Sequence, residues 1–172
     1  MKGLSKRTES VDAKIFDQEL KKQKDLNQKL MSAKGSENPH ILHKELGEWM
    51  TENVTVVRYN DRLKKTDEKI QEFIDRYEKI ALPDTGTWAN SELLFGRQLH
   101  NMLHLARVVT IGALNRNESR GAHYKPDFTE RDDANWLKTT KAKFTPTGPV
   151  FEYEAVDTKY IKPRPRRYDM AS

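Results

Sequence analysis

Asn90-Ser91-Glu92-Leu93-Leu94-Phe95-Gly96-Arg97-Gln98-Leu99-His100-Asn101-Met102-Leu103-His104-Leu105-Ala106-Arg107-Val108-Val109-Thr110-Ile111-Gly112-Ala113-Leu114 is the most apolar stretch of the chain and reads as one long helix. Asn90 or Ser91 can cap its free amides. Leu94, Leu99, Met102, Leu103, Ala106, Val109 and Leu114 recur at helical steps and mark the side expected to be buried. A helix of this length needs partners that cover its apolar side, and the residues before it supply candidates.

Upstream, Pro83-Asp84-Thr85-Gly86 is a turn. It follows a helix that Asn60 or Asp61 can cap and that carries Leu63, Ile70, Phe73, Ile74, Tyr77 and Ile80. The β-branched run Val54-Thr55-Val56-Val57 disfavours continuation of the helix before that. This earlier helix starts at Asn38-Pro39, a cap followed by a proline that forfeits no hydrogen bond, and presents Ile41, Leu42, Leu46, Trp49 and Met50. The short connections predict a mainly α fold, an antiparallel three-helix bundle. Residues 10–33 predict a further helix with a narrow stripe of Val11, Ile15, Phe16, Leu20, Leu26, Leu30 and Met31, ended by Gly35. So thin a stripe is expected to lie on something outside the chain, or to fray.

Downstream, residues 115–140 are dense in varied polar side chains and almost free of aliphatic ones, which predicts a recognition loop. Lys141–Thr145 alternates, Pro146-Thr147-Gly148-Pro149 turns, and Val150–Glu154 can return as a second strand. This hairpin is too small to stand alone in water. The expected organisation is an N-terminal helical arm over 1–36, the bundle over 37–116, and the polar loop, hairpin and basic tail over 117–172, all within one domain.

Composition narrows the chemistry. The chain has 172 residues, 35% hydrophobic and 33% charged, and no cysteine. Disulfides, thiolate catalysis and cysteine-ligated clusters are excluded. No apolar run reaches the roughly 18 residues of a membrane span, and the N-terminus lacks the apolar stretch of a signal peptide, so a soluble chain is expected. Most of the +5 charge sits between Lys159 and Ser172. That tail is interrupted by Pro163 and Pro165, and the body has no aromatic-interleaved basic face, so nucleic acid is not an expected partner.

His100 and His104 stand four apart, a metal-binding spacing that lacks a third ligand. With His40 and His43 they are read as core-edge or solvated histidines. The carboxylate pairs Glu45 and Glu48, Asp132 and Asp133, and Glu152 and Glu154 are read as solvated faces. No Gly-x-Gly-x-x-Gly or phosphate-binding loop occurs. No catalytic, cofactor-binding or metal-binding residue is therefore expected here. The Arg120-Gly121-Ala122-His123 turn differs in kind, because Gly121 can take a positive φ between a charge and a titratable donor. Asp127, Arg131, Asp132 and Asp133 alternate in sign, either locking the loop internally or pairing with a neighbouring surface, and Trp136 suggests a packing anchor or interface.

Glu118-Ser119-Arg120-Gly121-Ala122-His123, Asp127-Phe128, Arg131-Asp132-Asp133 and Asn135-Trp136-Leu137-Lys138, in that order, resemble the C-terminal motif of succinate dehydrogenase and fumarate reductase flavoproteins. Ala106-Arg107, Asn115-Arg116, Lys44–Met50, Asn53–Arg58 and Lys162-Pro163-Arg164 extend the resemblance, which is greatest to succinate dehydrogenase. Thr129 stands where proline is frequent, and Thr139 where histidine is frequent. The resemblance implies a longer parent with an FAD-binding domain, a capping domain and this helical domain last. It implies oxidation of succinate to fumarate through FAD, with electrons passing to an iron–sulfur subunit and quinone, in a complex held by a membrane anchor on the cytoplasmic face. The chain alone is then expected to bind no FAD and to be inactive. Its partners would be the FAD-binding domain of the same subunit and the iron–sulfur subunit, contacted around Arg120, Gly121, His123, Asp127, Arg131, Asp132 and Trp136. The alternatives are the equivalent domain of fumarate reductase or L-aspartate oxidase, or a free-standing helical adaptor for an acidic partner.

Overall fold

The computed structural model describes residues 13–164 and is mainly helical, with one antiparallel hairpin. The elements are α1 Ala13–Ser32, α2 Pro39–Asn53, α3 Asn60–Tyr77, α4 Ser91–Asn115, α5 Asp133–Trp136, β1 Lys138–Lys143 and β2 Val150–Ala155. Two compact units emerge. One holds the described residues up to Glu48 with Ile70–Leu103, the other Trp49–Lys69 with the described residues from His104 onward. Helices α2, α3 and α4 each supply residues to both.

In the first unit, Leu42, Leu46, Ile70, Phe73, Tyr77, Ile80, Leu99 and Leu103 are buried. The expected caps form: Asn38 Oδ1 accepts from the His40 amide at 2.8 Å, and Asn90 Oδ1 from the Leu93 amide at 2.8 Å. Helix α1 ends at Ser32, before Gly35, whose role is one of space. A Cβ there would run into the Lys79 carbonyl, and this close approach lets Glu37 exchange backbone bonds with Lys79 and Ala81 at 3.1 and 3.0 Å. Tyr77 donates to the Gly96 carbonyl at 2.9 Å, and burial pushes its hydroxyl up to about 12. Arg76 is bidentate on Glu37 and reaches Glu45 at 2.5 Å, so Glu45 is an ion-pair partner. Helix α1 is anchored near its C-terminal end by buried Leu30 and by Lys29 on Glu78 at 2.7 Å, whereas Ile15, Phe16, Leu20 and Leu26 are exposed. Val11 lies outside the described residues.

In the second unit, Val54, Leu63 and Ala113 form a core flanked by Met50 and Leu114. Thr66 and Thr110 are fully buried, and their hydroxyls return to the Arg62 and Ala106 carbonyls at 2.8 Å, which leaves no orphan polar atom. The hairpin runs in register from Lys138 opposite Ala155 to Lys143 opposite Val150. It packs on α4: Phe144 meets the His104 ring edge-on at 5.0 Å, and Phe151 sits where a Cβ on Gly112 would be 3.4 Å away.

Several expectations need correction. Leu94 and Val109 on α4 and Ile41 on α2 are exposed, because the apolar stripe is wider than the surface available to cover it. Ile80 lies beyond the end of α3, in the bridge to Glu37. Asn60 is the first residue of α3 rather than a free cap, and its side chain turns to Lys125 and Asn117. The polar stretch is not all loop: it contains α5 and the first residues of β1, which starts at Lys138.

Candidate interface site

The polar stretch is organised by a residue that composition alone conceals. Glu118 has no exposed side-chain surface and four donors around its carboxylate. Oε1 accepts from Arg116 at 2.5 Å and from Arg120 Nε at 2.9 Å. Oε2 accepts from Arg120 Nη2 and from the Asp132 amide, each at 2.9 Å. Burial pushes this carboxyl up, but Arg120, the Asp132 amide and Arg116 together outweigh it and hold the group below its ordinary value. The network continues outward. Arg120 reaches Asp133 Oδ1 at 2.7 Å, and Arg131 takes Asp133 Oδ2 at 2.7 Å.

Arg116 joins this network to the hairpin. It donates to the carbonyls of Trp136 and Lys138 at 3.0 Å and to Thr140 at 3.1 Å, and its guanidinium lies 5.0 Å from the Trp136 ring. Trp136 meets Tyr153 edge-on at 5.7 Å, with Lys138 over both rings. Asp132 caps α5 by accepting from the Asn135 amide at 3.0 Å. Trp136 is thus a packing anchor held from two strands.

The Arg120–His123 turn closes through paired backbone bonds of 2.8 and 3.1 Å, with Gly121 at φ +61°. A Cβ on Gly121 would meet nothing within 4 Å, so the glycine serves the backbone conformation and leaves an open surface. The His123 tautomer is fixed by its partners. Arg58 lies 2.5 Å from Nδ1 and can only donate, while the Arg116 carbonyl lies 3.0 Å from Nε2 and can only accept. Burial, reinforced by the nearby cations, lowers the His123 pKa and keeps the ring neutral. Lys125 is also buried. Its ammonium donates to Asn60 at 2.7 Å and to the Leu114 carbonyl and Asn117 at 3.0 Å, and burial together with Arg58 brings its pKa down to about 8.

The ion pairs therefore close within the loop. Arg120, Arg131, Asp132 and Trp136 belong to one network, His123 joins it through Arg116, and Gly121 forms the open turn. Asp127 stands apart, exposed and without an ion pair or hydrogen bond among the described residues. Tyr124 and Phe128, at 40% and 37% exposure, are apolar residues on the outer surface of the loop. Sequence reasoning named Asp133 among the alternating charges but missed Glu118 as the hub, together with Arg116, Lys125 and Arg58 as members of the site. The alternation Arg116, Glu118, Arg120 was a usable signal for two of these. Arg58, far upstream, stood only in a stretch that extends the resemblance, with no charge pattern linking it to the loop. With Glu118 ionised and both His123 nitrogens engaged, the charged groups of the cluster are committed to one another. Among the described residues, no group of three His, Asp or Glu side chains could hold a metal ion, and no helix is long and apolar enough to cross a membrane.

Residues 43–168 match the family described as fumarate reductase flavoprotein C-term. The chain belongs to this family. It is 55% identical over 168 residues to the succinate dehydrogenase flavoprotein subunit of Bacillus subtilis, covering 96% of this chain and 29% of that protein. The fumarate reductase flavoprotein subunit of Proteus vulgaris is 37% identical, over 92% of this chain and 27% of its own length. A solved chain of E. coli quinol fumarate reductase superposes with a TM-score of 0.82 at 30% identity, over 93% of this chain and 27% of that one. The chain thus spans somewhat under a third of these relatives, and the mainly helical fold with its hairpin is the family's C-terminal fold.

Proposed function

We propose that the chain is the C-terminal domain of a succinate dehydrogenase flavoprotein subunit, whose complete form oxidises succinate to fumarate through FAD and passes electrons to an iron–sulfur subunit and quinone. The 55% identity to the Bacillus subtilis succinate dehydrogenase subunit, against 37% to the Proteus vulgaris fumarate reductase subunit, carries this reading. The described residues do not fit FAD. The glycines stand apart in the sequence, and no strand runs through a glycine-rich turn into a helix to cradle its diphosphate. The cofactor and the oxidation step belong to sequence outside this chain, which by itself is inactive and holds domains and subunits together.

The partners are the FAD-binding domain of the same subunit and the iron–sulfur subunit, with the membrane anchor reached only through the assembled complex at the cytoplasmic face. Arm, bundle, loop and hairpin act as one C-terminal domain. The contact surface is built on Gly121 and Asp127, with Arg120, His123, Arg131, Asp132 and Trp136 setting its shape. Gly121 is the place to test it, because a side chain there projects into open space. In the complete subunit, Gly121→Ala carries only the backbone cost of a positive φ, about 1 kcal/mol. Gly121→Glu adds bulk and charge to the surface. Gly121→Glu is expected to lower the co-purifying iron–sulfur subunit several-fold relative to Gly121→Ala, with FAD content unchanged. Equal co-purification of the two variants would refute the role of this loop.

A further inference from the structure

The unit that contains the polar stretch also holds an open cavity of about 310 Å³. Its lining divides by chemistry. Val108, Val109, Ala113 and Phe151 supply apolar surface, and Arg58, Arg116, His123 and Thr140 supply donors and charge. The arginines are not equivalent. The charge of Arg116 is balanced by Glu118, and its bonds are committed to Glu118, two carbonyls and Thr140. Arg58 donates Nε to the Val54 carbonyl at 3.0 Å and Nη1 to His123, and no carboxylate pairs with it among the described residues. Of the five N–H donors of a guanidinium, two are committed, which leaves three. Burial lowers the Arg58 pKa, as expected for a cation partly removed from water without a counter-ion. Such a charge is costly unless an anion completes it.

We propose that this cavity binds a carboxylate carried on a short apolar or aromatic body, with Arg58 taking the carboxylate and the Val108–Phe151 surface taking the body. Arg58 supplies the planar donor pair that suits a carboxylate. The Thr140 oxygen already accepts from Arg116, so its hydroxyl hydrogen is free to donate. The ligand chemistry has two sources: a free carboxylic acid, or an Asp or Glu side chain next to an apolar residue on a docking segment. The proposal stands apart from the assembly role of Gly121, whose failure would leave it untouched.

Titration of the 15N-labelled 172-residue chain with 3-phenylpropionate tests it. Saturable amide shifts are expected at Gly112, Ala113, His123, Ala142 and Phe151, with binding at least about ten-fold weaker for the neutral 3-phenylpropionamide and for Arg58→Gln, as loss of a charge-assisted bond implies. Arg58→Gln also removes a His123 partner, so Ala142→Glu is the second variant. Ala142 is exposed and lines the cavity, and its replacement places a tethered carboxylate there that is expected to abolish binding without unfolding. A blocked Phe-Glu dipeptide amide separates the sources: tighter binding than 3-phenylpropionate assigns the site to a protein segment, weaker binding to a free acid. No saturable shift with either probe, or equal binding of acid and amide, would overturn the proposal.

Discussion

Two charge clusters in this chain are built inside out from one another. In the first unit, a cation is the centre: Arg76 bridges Glu37 and Glu45, and its side chain is 21% exposed. In the second, an anion is the centre: Glu118 lies between Arg116 and Arg120 with no exposed surface. Water reaches the Arg76 side chain but not the Glu118 carboxylate. The same kind of ion pair therefore has different consequences, because the strength of a charge pair depends on how dry its centre is.

The largest effect is expected from removing the buried centre. Glu118→Ala leaves Arg116 and Arg120, 16% and 28% exposed, without the carboxylate between them and the Asp132 amide without its acceptor, a loss of about 3 kcal/mol read as a fall in urea midpoint. Arg76→Met is the matched experiment at the exposed centre. Glu37 and Glu45 can be re-solvated there, and a loss of about 1–2 kcal/mol is expected. Equal losses from the two variants would mean that burial does not distinguish the clusters.

A pH series sharpens the contrast with a smaller effect. The folded pKa of Glu118 is below its unfolded value, so its contribution is present above the unfolded value and is lost as pH falls through the folded one. His123 is also lowered in the folded state. The unfolded chain then binds more protons between the folded value and about 6.5, so stability rises with pH across that window and falls on acidification. Lys125, at about 8, gives a rise of the same sign between about 8 and its unfolded value of 10.5. The urea midpoint is expected to fall from pH 7 to pH 3, with a shallower fall in Glu118→Gln. It is expected to rise modestly from pH 8 to pH 10, and that rise should vanish in Lys125→Met. An unchanged acid slope in Glu118→Gln would remove Glu118 as its source.

The helices were legible because their signals are local. Asn38-Pro39 and Asn90 cap where capping chemistry puts them, and the β-branched run after Asn53 ends α2. The stripe of α4 was only partly legible, since periodicity shows which residues share a face but not how much of that face is covered; Leu94 and Val109 are the residue of that ambiguity. The motif was legible as a polar, turn-forming stretch. Its hub was only partly legible: the alternation Arg116, Glu118, Arg120 marks it, but a glutamate among arginines and aspartates also reads as solvated, and the Asp132 amide that completes its shell arrives from further along the chain.

The sequence by itself determined the helical segments, the hairpin turn, the absence of thiol chemistry and the family to which the motif belongs, all of which depend on neighbours a few residues apart or on the order of residues in a motif. Tertiary structure alone decided which charges are dry. Glu118 gained the Asp132 amide, Lys125 three neutral acceptors, and Arg58 a histidine from far along the chain with no carboxylate. Desolvation is a property of the surrounding volume, filled here by segments distant in sequence, and no local pattern of residues encodes it.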